Sequence, residues 1–247
     1  MSSNSPCEKK HPILVLSSRP WNSDLSERLR QRLAREIIQI TSPSQLNLES
    51  IIAIDPEWIF VPHWSHWIPE SIWGRWPTVI FHMTDLPYGR GGSPLQNLIH
   101  RGYNETMLTA LRCSSEFDCG DIYLKRPLKL YGTAEEIFIR ADGLIEHMIE
   151  YIVHEDPVAS PQKGEPVVFN RRTPDQSNLA SCPDSDVAAW YDLIRMLDAD
   201  GYPHAFLEAH GMRLEFRRVS QRSDGLYADV RIVPKLQQQS VHLDTNS

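Results

Sequence analysis

Two residues in this sequence are suited to act as an acid/base pair. His82 ends an apolar run in the stretch VIFHMTDLPYGRGGSP (residues 79–94), and Asp118 lies in the tight Cys-Gly turn of SEFDCGDIYL (residues 115–124). Each adjoins a strand-like run, so both are expected on loops at the edge of a sheet. A carboxylate beside an imidazole can orient it and exchange protons with it. Because a histidine at a strand end is often only structural, the prediction rests on the presence of both side chains.

The order and spacing of these residues resemble the folate-dependent formyltransferases, which include methionyl-tRNA formyltransferase, glycinamide ribonucleotide transformylase and the sugar N-formyltransferases. The family pattern is Asn-x-His-x-Ser-x-Leu-Pro, then a glycine, and then Asp-x-Gly further along. The residues that match it are His82, Thr84, Leu86, Pro87, Gly91, Asp118 and Gly120. The match covers roughly residues 12–155. The segments HMTDLPYGRGGSPLQNL and RRTPDQS are most similar to bacterial sugar N-formyltransferases, including those acting on GDP-linked amino sugars such as perosamine.

One position departs from the family pattern. Ile80 stands where the family has its catalytic asparagine, and an isoleucine side chain can neither donate nor accept a hydrogen bond. The preceding strand, in WIFVPHWSHW (residues 58–67), should end beside the strand that holds Ile80. We therefore predict that His63 or Ser65 replaces the missing donor. The alternative is that His63 caps a strand and that the neighbouring tryptophans are core or pocket wall.

The resemblance implies N10-formyltetrahydrofolate as the formyl donor and requires no metal. It implies His82 and Asp118 as catalytic residues, to which we add His63. The residues expected to bind the folate are Leu86, Pro87, Tyr88, Gly89, Arg90, Leu111, Arg112 and Asp118. The residues predicted to bind the second substrate are Arg19, Trp21, Asn22, Trp64 and Arg171. For the loop SSRPWNSD (residues 17–24), a solvated arginine with a packing tryptophan is the competing interpretation.

The net charge of the chain indicates which class of second substrate to expect. The chain has 25 Lys and Arg against 32 Asp and Glu, a formal net charge of -7. Strong binding of a polyanion needs clustered positive charge, so we expect a nucleotide-linked amino sugar as the acceptor and no nucleic-acid partner. Two alternatives stay open: a formyltransferase for another amine (an amino acid, a hydroxylamine or an aminoacyl-tRNA), or a non-catalytic module that binds folate or a nucleotide. A homodimer is compatible with either.

Several other classes are disfavoured. The sequence contains neither GxGxxG nor GxxxxGK[ST], the glycine-rich phosphate loops of dinucleotide and nucleotide binders. Its four cysteines are widely separated, which predicts reduced thiols rather than a zinc site. It lacks an apolar run of about eighteen residues, and its first twelve residues lack the apolar centre of a signal peptide. We expect a cytoplasmic protein without a membrane partner.

Strand-like and helix-like segments alternate through the first part of the chain. This βαβαβ rhythm predicts an α/β fold with a Rossmann-like, mostly parallel sheet, the formyltransferase fold. A small C-terminal appendage of one helix plus a β-meander should follow. The expected divisions are a flexible N-terminus (1–11), a catalytic domain (12–155), a linker (156–166), the appendage (167–235) and a disordered tail (236–247).

Overall fold

A computed structural model describes residues 11–183 and 186–235, which form two compact units that divide between Arg172 and Thr173. The expected tail 236–247 and residues 1–10 of the expected flexible start lie outside the described residues. The elements of the first unit are, in chain order, β1 (Ile13–Leu16), α1 (Leu25–Leu33), β2 (Ile37–Ile40), α2 (Leu48–Ile54), β3 (Trp58–Val61), α3 (Glu70–Trp73), β4 (Thr78–His82), β5 (Tyr88–Gly91), α4 (Pro94–His100), β6 (Glu105–Arg112), β7 (Ile122–Lys129), α5 (Ala134–Glu155) and β8 (Val167–Phe169). Those of the second unit are α6 (Val187–Arg195), β9 (Ala205–Ala209), β10 (Met212–Arg222) and β11 (Gly225–Pro234).

The centre of the first unit is a six-stranded sheet with the order β2-β1-β3-β4-β6-β7. Strands β1 to β4 pair in parallel, whereas β6 pairs antiparallel with β4 and with β7. The run ILVL of β1 and most of WIFV in β3 are almost inaccessible to solvent, as expected for strands covered on both faces. The predicted α/β fold with a mostly parallel sheet is therefore confirmed.

Helices α1 and α5 pack against each other beside this sheet. Helix α5 begins with a capping box, in which Thr133 and Glu136 satisfy each other's backbone donors. Its buried stripe consists of Ala134, Ile137, Phe138, Ala141, Ile145, Met148, Ile149 and Ile152. Arg28 of α1 forms ion pairs with two buried carboxylates of α5, Asp142 and Glu146. These charges are paired, so they can remain inside the interface between the helices.

The boundary of the first unit lies six residues beyond the expected end of the linker. Strand β8 pairs in parallel with β5, and the Gly92 N–H donates to the Phe169 carbonyl oxygen at 3.0 Å. Residues 167–172, which we expected in the appendage, therefore belong with the first unit. The cause is backbone pairing with a strand nearly eighty positions earlier in the chain, as in Gly91 with Phe169.

The second unit has the predicted helix followed by a β-meander. Strands β9, β10 and β11 form an antiparallel sheet in the order β11-β10-β9. Helix α6 ends at Arg195. Its apolar face buries Leu193 and Ile194, and Phe206 of β9 is also buried. Within the described part of the chain, no helix is long and apolar enough to cross a lipid bilayer.

Candidate active site

Strand β4 and the loop between β6 and β7 supply the central residues of the site. Ile80 and His82 are two residues apart on β4, so their side chains lie on the same face of the sheet. Ile80 pairs with Leu111 of β6, and the loop that follows β6 carries Asp118. The antiparallel turn from β6 to β7 thus brings Asp118 to His82 across 36 positions of sequence, as the sequence predicted for neighbouring loops.

His82 is buried and both of its ring nitrogens face oxygen acceptors. Nε2 donates to the Gly89 carbonyl oxygen at 2.8 Å, and Nδ1 lies 3.3 Å from Asp118 Oδ1. A carbonyl oxygen only accepts, so Nε2 must carry a hydrogen. Nδ1 and Oδ1 then need one further proton between them to make a favourable contact. A proton shared by Nδ1 and Oδ1 would complete a hydrogen-bonded chain from the Gly89 carbonyl oxygen through His82 to Asp118.

Asp118 is fixed by its turn as well as by His82. Its second carboxylate oxygen, Oδ2, accepts a hydrogen bond from the Gly91 N–H at 2.8 Å, and its backbone has a positive φ of 55°. Gly120, two residues later, leaves no space for a side chain, because an added Cβ would lie 1.8 Å from the Arg112 carbonyl oxygen. The family's Asp-x-Gly pattern therefore has a steric explanation here.

Gln162 supports the same turn from the segment that we expected to be a linker. Its Nε2 donates to the carbonyl oxygens of Asp118 at 2.7 Å and Gly120 at 2.9 Å. Its Oε1 accepts from the guanidinium of Arg90 at 3.1 and 2.7 Å. Gln162 was not predicted as a site residue, because no local signal in a Pro-rich segment distinguishes a partly buried amide from a solvated one.

A cavity of about 130 Å³ opens beside Asp118. Its apolar lining comprises Val61, Trp64, Trp67, Ile68, Ile80, Leu111, Cys113 and Phe117, and its polar lining comprises His66, Arg112, Ser114, Glu116 and Asp118. Trp67 and Phe117 are 55% and 73% exposed, with ring centres 5.3 Å apart in an edge-to-face arrangement. Burial raises the pKa of the Cys113 thiol to about 11, so this thiol is protonated near neutral pH.

The expected folate residues divide between this cavity and a neighbouring loop. Leu111, Arg112 and Asp118 line the cavity, whereas the segment Leu86–Arg90 is not part of its lining. That segment is held by its own contacts: Lys125 donates to the Leu86 carbonyl oxygen at 2.6 Å, and the Val167 N–H donates to that of Pro87 at 3.2 Å. A hydrogen bond with Tyr103 raises the pKa of Tyr88, which also packs on Phe169.

The structure places His63 and Ser65 outside the cavity lining, contrary to the expectation that one of them replaces the missing donor. His63 Nδ1 accepts a hydrogen bond from Trp21 Nε1 at 3.0 Å, and the imidazole packs against Phe138. Burial, and to a lesser degree the charge of Arg19, lowers the pKa of His63 to about 3. Ser65 Oγ lies 3.4 Å from Arg19 Nη2. The segment does reach the cavity, but through other residues.

Two of the predicted substrate-binding residues are corrected by their burial. Trp21 stacks on Phe138 with ring centres 4.5 Å apart, and Asn22 is inaccessible to solvent. Asn22 accepts from the Ser17 hydroxyl at 2.8 Å and donates to Asp142, so both ends of its amide are bonded within the protein. Both side chains are therefore structural, in line with the competing interpretation of their loop.

The other three predicted substrate-binding residues remain near solvent or the cavity. Trp64 lines the cavity, and Arg19 is half-buried with its guanidinium 5.7 Å from the Trp21 ring. Arg171 is exposed and is not among the cavity residues, and its backbone packs against Gly92. Across the described residues, no three His, Cys, Asp or Glu side chains cluster as metal ligands.

Comparison with known proteins defines the family. The chain is 44% identical to methionyl-tRNA formyltransferase from Clostridium thermocellum, with a TM-score of 0.87 over 90% of this chain and 99% of that one. It is 27% identical to methionyl-tRNA formyltransferase of Porphyromonas gingivalis over 72% of this chain and 59% of that protein. Residues 174–233 match the family model described as methionyl-tRNA formyltransferase, C-terminal domain. The chain therefore belongs to the formyltransferase family.

The same fold occurs in more distant structures. A sugar N-formyltransferase from Shewanella sp. superposes with a TM-score of 0.67 over 85% of this chain and 98% of that chain, at 14% identity. At such low identity the likeness concerns the fold alone. The chain also spans less than two thirds of the length of the Porphyromonas gingivalis protein.

Proposed function

We propose that this chain is an enzyme that transfers a formyl group from N10-formyltetrahydrofolate to a primary amine. One observation carries the proposal: Asp118 lines the cavity, and its carboxylate faces His82 Nδ1. A carboxylate that can accept a proton thus lies beside the buried imidazole of His82 at the wall of a concave pocket. Concave pockets are the usual binding sites for small substrates. Membership of the formyltransferase family supports this choice of reaction.

The chemistry of the cavity fits a folate. A flat bicyclic ring needs apolar surfaces for its faces and polar groups for its edge. Ile80, Leu111 and Cys113 offer an apolar surface, whereas Arg112, Ser114 and Asp118 offer polar groups. When bound, the folate supplies the electrophilic formyl carbon, and the residues of the chain supply orientation and proton transfer.

Proton balance defines what the His82–Asp118 pair has to do. In the overall reaction the amine loses one proton, and N10 of the folate gains one as its bond to the formyl group breaks. Asp118 is the member of the pair that lines the cavity, so we assign it as the group that accepts the proton from the amine. His82 orients the carboxylate and shares the proton. General acid/base groups of this kind contribute about a hundred- to ten-thousand-fold in rate.

The acceptor amine that the relatives favour is an aminoacyl-tRNA. Two of the relatives carry the name methionyl-tRNA formyltransferase, and the matched family model is the C-terminal domain of that enzyme. The net charge of -7 describes the whole chain, whereas β10 alone carries four arginines and one glutamate. A local basic strand of this kind suits a phosphate backbone. This acceptor was an alternative in the sequence analysis and now replaces the amino sugar as the first candidate.

A nucleotide-linked amino sugar is the second candidate. The exposed Trp67 and Phe117 at the cavity could stack on a nucleobase, and the fold is shared with sugar N-formyltransferases. The overall acidic charge also suits a small ligand better than a long polyanion.

A single assay separates the candidates. The purified chain is incubated with N10-formyltetrahydrofolate and, separately, with methionyl-tRNA, free methionine, and GDP-, dTDP- and UDP-linked amino sugars. Released tetrahydrofolate and the mass of each acceptor are measured. The proposal expects formylation of methionyl-tRNA, and formylation of a sugar alone would establish the second candidate. A chain that formylates none of these amines while still binding the folate would be a binding module rather than an enzyme.

A further inference from the structure

The cavity lacks a side-chain hydrogen-bond donor at Ile80, the position of the family's asparagine. As the amine bonds to the formyl carbon in the proposed reaction, negative charge develops on the formyl oxygen, and a hydrogen-bond donor aimed at that oxygen speeds the step. Ile80 lines the cavity and offers no such donor. Another side chain must then donate the hydrogen bond to the formyl oxygen, and its identification rests on the proposed function.

Several side chains around the cavity carry hydrogen-bond donors, but most of these donors are already hydrogen-bonded within the protein or are exposed to solvent. The Ser114 hydroxyl donates to the Glu116 carbonyl oxygen at 3.0 Å. The Arg112 guanidinium is exposed and lies 6.0 Å from the Tyr123 ring, and His66 is exposed. Exposed donors are hydrated, so they are poorly suited to a fixed hydrogen bond in a site that excludes water.

Trp64 differs from these residues. Its indole nitrogen is buried, and no acceptor among the described residues lies within hydrogen-bond distance of it. Its side chain lines the cavity and packs against the same apolar core cluster as Ile80. A buried N–H without a partner is unfavourable in a folded protein, which makes such a group a candidate for binding a ligand.

We propose that the indole N–H of Trp64 takes over the work of the absent asparagine by donating a hydrogen bond to the formyl oxygen. The bond strengthens as charge develops on that oxygen, so it favours the transition state over the bound reactants. Trp64 packs against the core cluster and makes an edge-to-face contact with His66, whose ring centre is 5.3 Å away. Trp64 lies between His63 and Ser65, the two residues expected from the sequence to supply this donor.

Trp73 provides a matched control. Its indole nitrogen is also buried without a partner among the described residues, and its side chain packs against the same core cluster. It does not belong to the cavity lining. Trp64→Phe and Trp73→Phe therefore remove the same N–H and a similar amount of packing, but only Trp64 belongs to the residues that line the cavity.

The first test measures binding and needs no turnover. The affinities of a stable formyl-bearing folate analogue, 10-formyl-5,8-dideazafolate, and of 5,8-dideazafolate without the formyl group are compared by calorimetry. The wild type and Trp73→Phe should prefer the formyl analogue by about tenfold, the strength of one net hydrogen bond. Trp64→Phe should lose this preference while its affinity for 5,8-dideazafolate is unchanged. A preference that survives in Trp64→Phe would overturn the inference.

The second test is rescue. Formyl transfer by Trp64→Phe should be reduced about 100-fold in kcat, and the double variant Trp64→Phe with Ile80→Asn should recover at least part of the loss because an amide donor returns. If the wild type is active and Trp64→Phe is equally active, the role of Trp64 is refuted and the proposed function still stands. If the wild type binds neither analogue, the proposed function itself fails, and the inference fails with it.

Discussion

The carboxylate of Asp118 joins His82, the last residue of β4, to Gly91, the last residue of β5. Oδ1 lies 3.3 Å from His82 Nδ1, and Oδ2 accepts from the Gly91 N–H at 2.8 Å. One side chain therefore connects the ends of β4 and β5 with the turn between β6 and β7. His82 also donates to the Gly89 carbonyl oxygen. His82, Asp118, Gly91 and Gly89 therefore form a closed ring beside the cavity, in which the backbone from Gly89 to Gly91 is the last link. Removing any one of them should disturb the others.

Asp118→Asn tests the proton-accepting role. The amide can still accept the Gly91 hydrogen bond, but it cannot take a proton from an amine. We expect formyl transfer to fall at least about 100-fold, with little change in folate affinity. Glu116→Gln is the control, because it removes a carboxylate from the same cavity without touching His82. Equal activities of the two variants would show that Asp118 does not handle the proton.

The sequence was sufficient for the order of elements and for the central pair of the site. Apolar runs are local signals, so the alternation of strands and helices and the C-terminal helix with its meander were predicted correctly. His82 and Asp118 were found because each ends or adjoins a strand with a recognisable turn. The contact between them depends on the antiparallel pairing of β4 with β6, which brings distant parts of the sequence together.

The misassigned residues depend on contacts that no local pattern encodes. Trp21 and Asn22 look like exposed loop residues, yet α5 covers them through Phe138 and Asp142. Burial of His63 beside Trp21 has the same origin. Gln162 was missed because its partners, the carbonyl oxygens of the Asp118 turn, lie more than forty positions away.

Gln162→Glu tests the support of the Asp118 turn. The substitution keeps the shape of the side chain but replaces its two N–H donors with a carboxylate oxygen that faces two carbonyl oxygens. We expect the turn to shift and kcat/KM to fall about tenfold, the loss of roughly one net hydrogen bond. Gln31→Glu makes the same chemical change on the exposed face of α1 and should leave kcat/KM unchanged. An unaffected Gln162→Glu would mean that the turn holds its geometry without this amide.

Gly120→Ala tests the steric requirement of the same turn. The new methyl group would meet the Arg112 carbonyl oxygen, a backbone atom that cannot move without displacing β6. We expect a loss of about 1–3 kcal/mol in unfolding free energy, measured by urea denaturation. Gly143→Ala is the matched control, because it lies within α5 with open space around its Cβ position. Alanine there should stabilise the protein by about 0.5–1 kcal/mol, so the two variants should change stability in opposite directions.

His63→Asn tests the buried imidazole through the pH dependence of stability. The pKa of His63 is about 3 in the folded protein, below the ordinary value of about 6.5 that the unfolded chain should have. Between these values the unfolded chain binds a proton that the folded protein does not, so stability falls as the pH decreases through 6.5. From pH 7.5 to 5.5 this one group should lower the unfolding free energy of the wild type by about 1 kcal/mol.

Asparagine suits position 63 because it tolerates the positive φ of 51° and offers Oδ1 to the Trp21 indole, and it does not titrate. The drop between pH 7.5 and 5.5 should therefore be about 1 kcal/mol smaller in His63→Asn than in the wild type, measured by urea denaturation at both pH values. His66→Asn, which changes an exposed histidine three residues away, should retain the wild-type drop. If His63→Asn and the wild type lose the same stability on acidification, His63 is not held neutral by the contacts around Trp21.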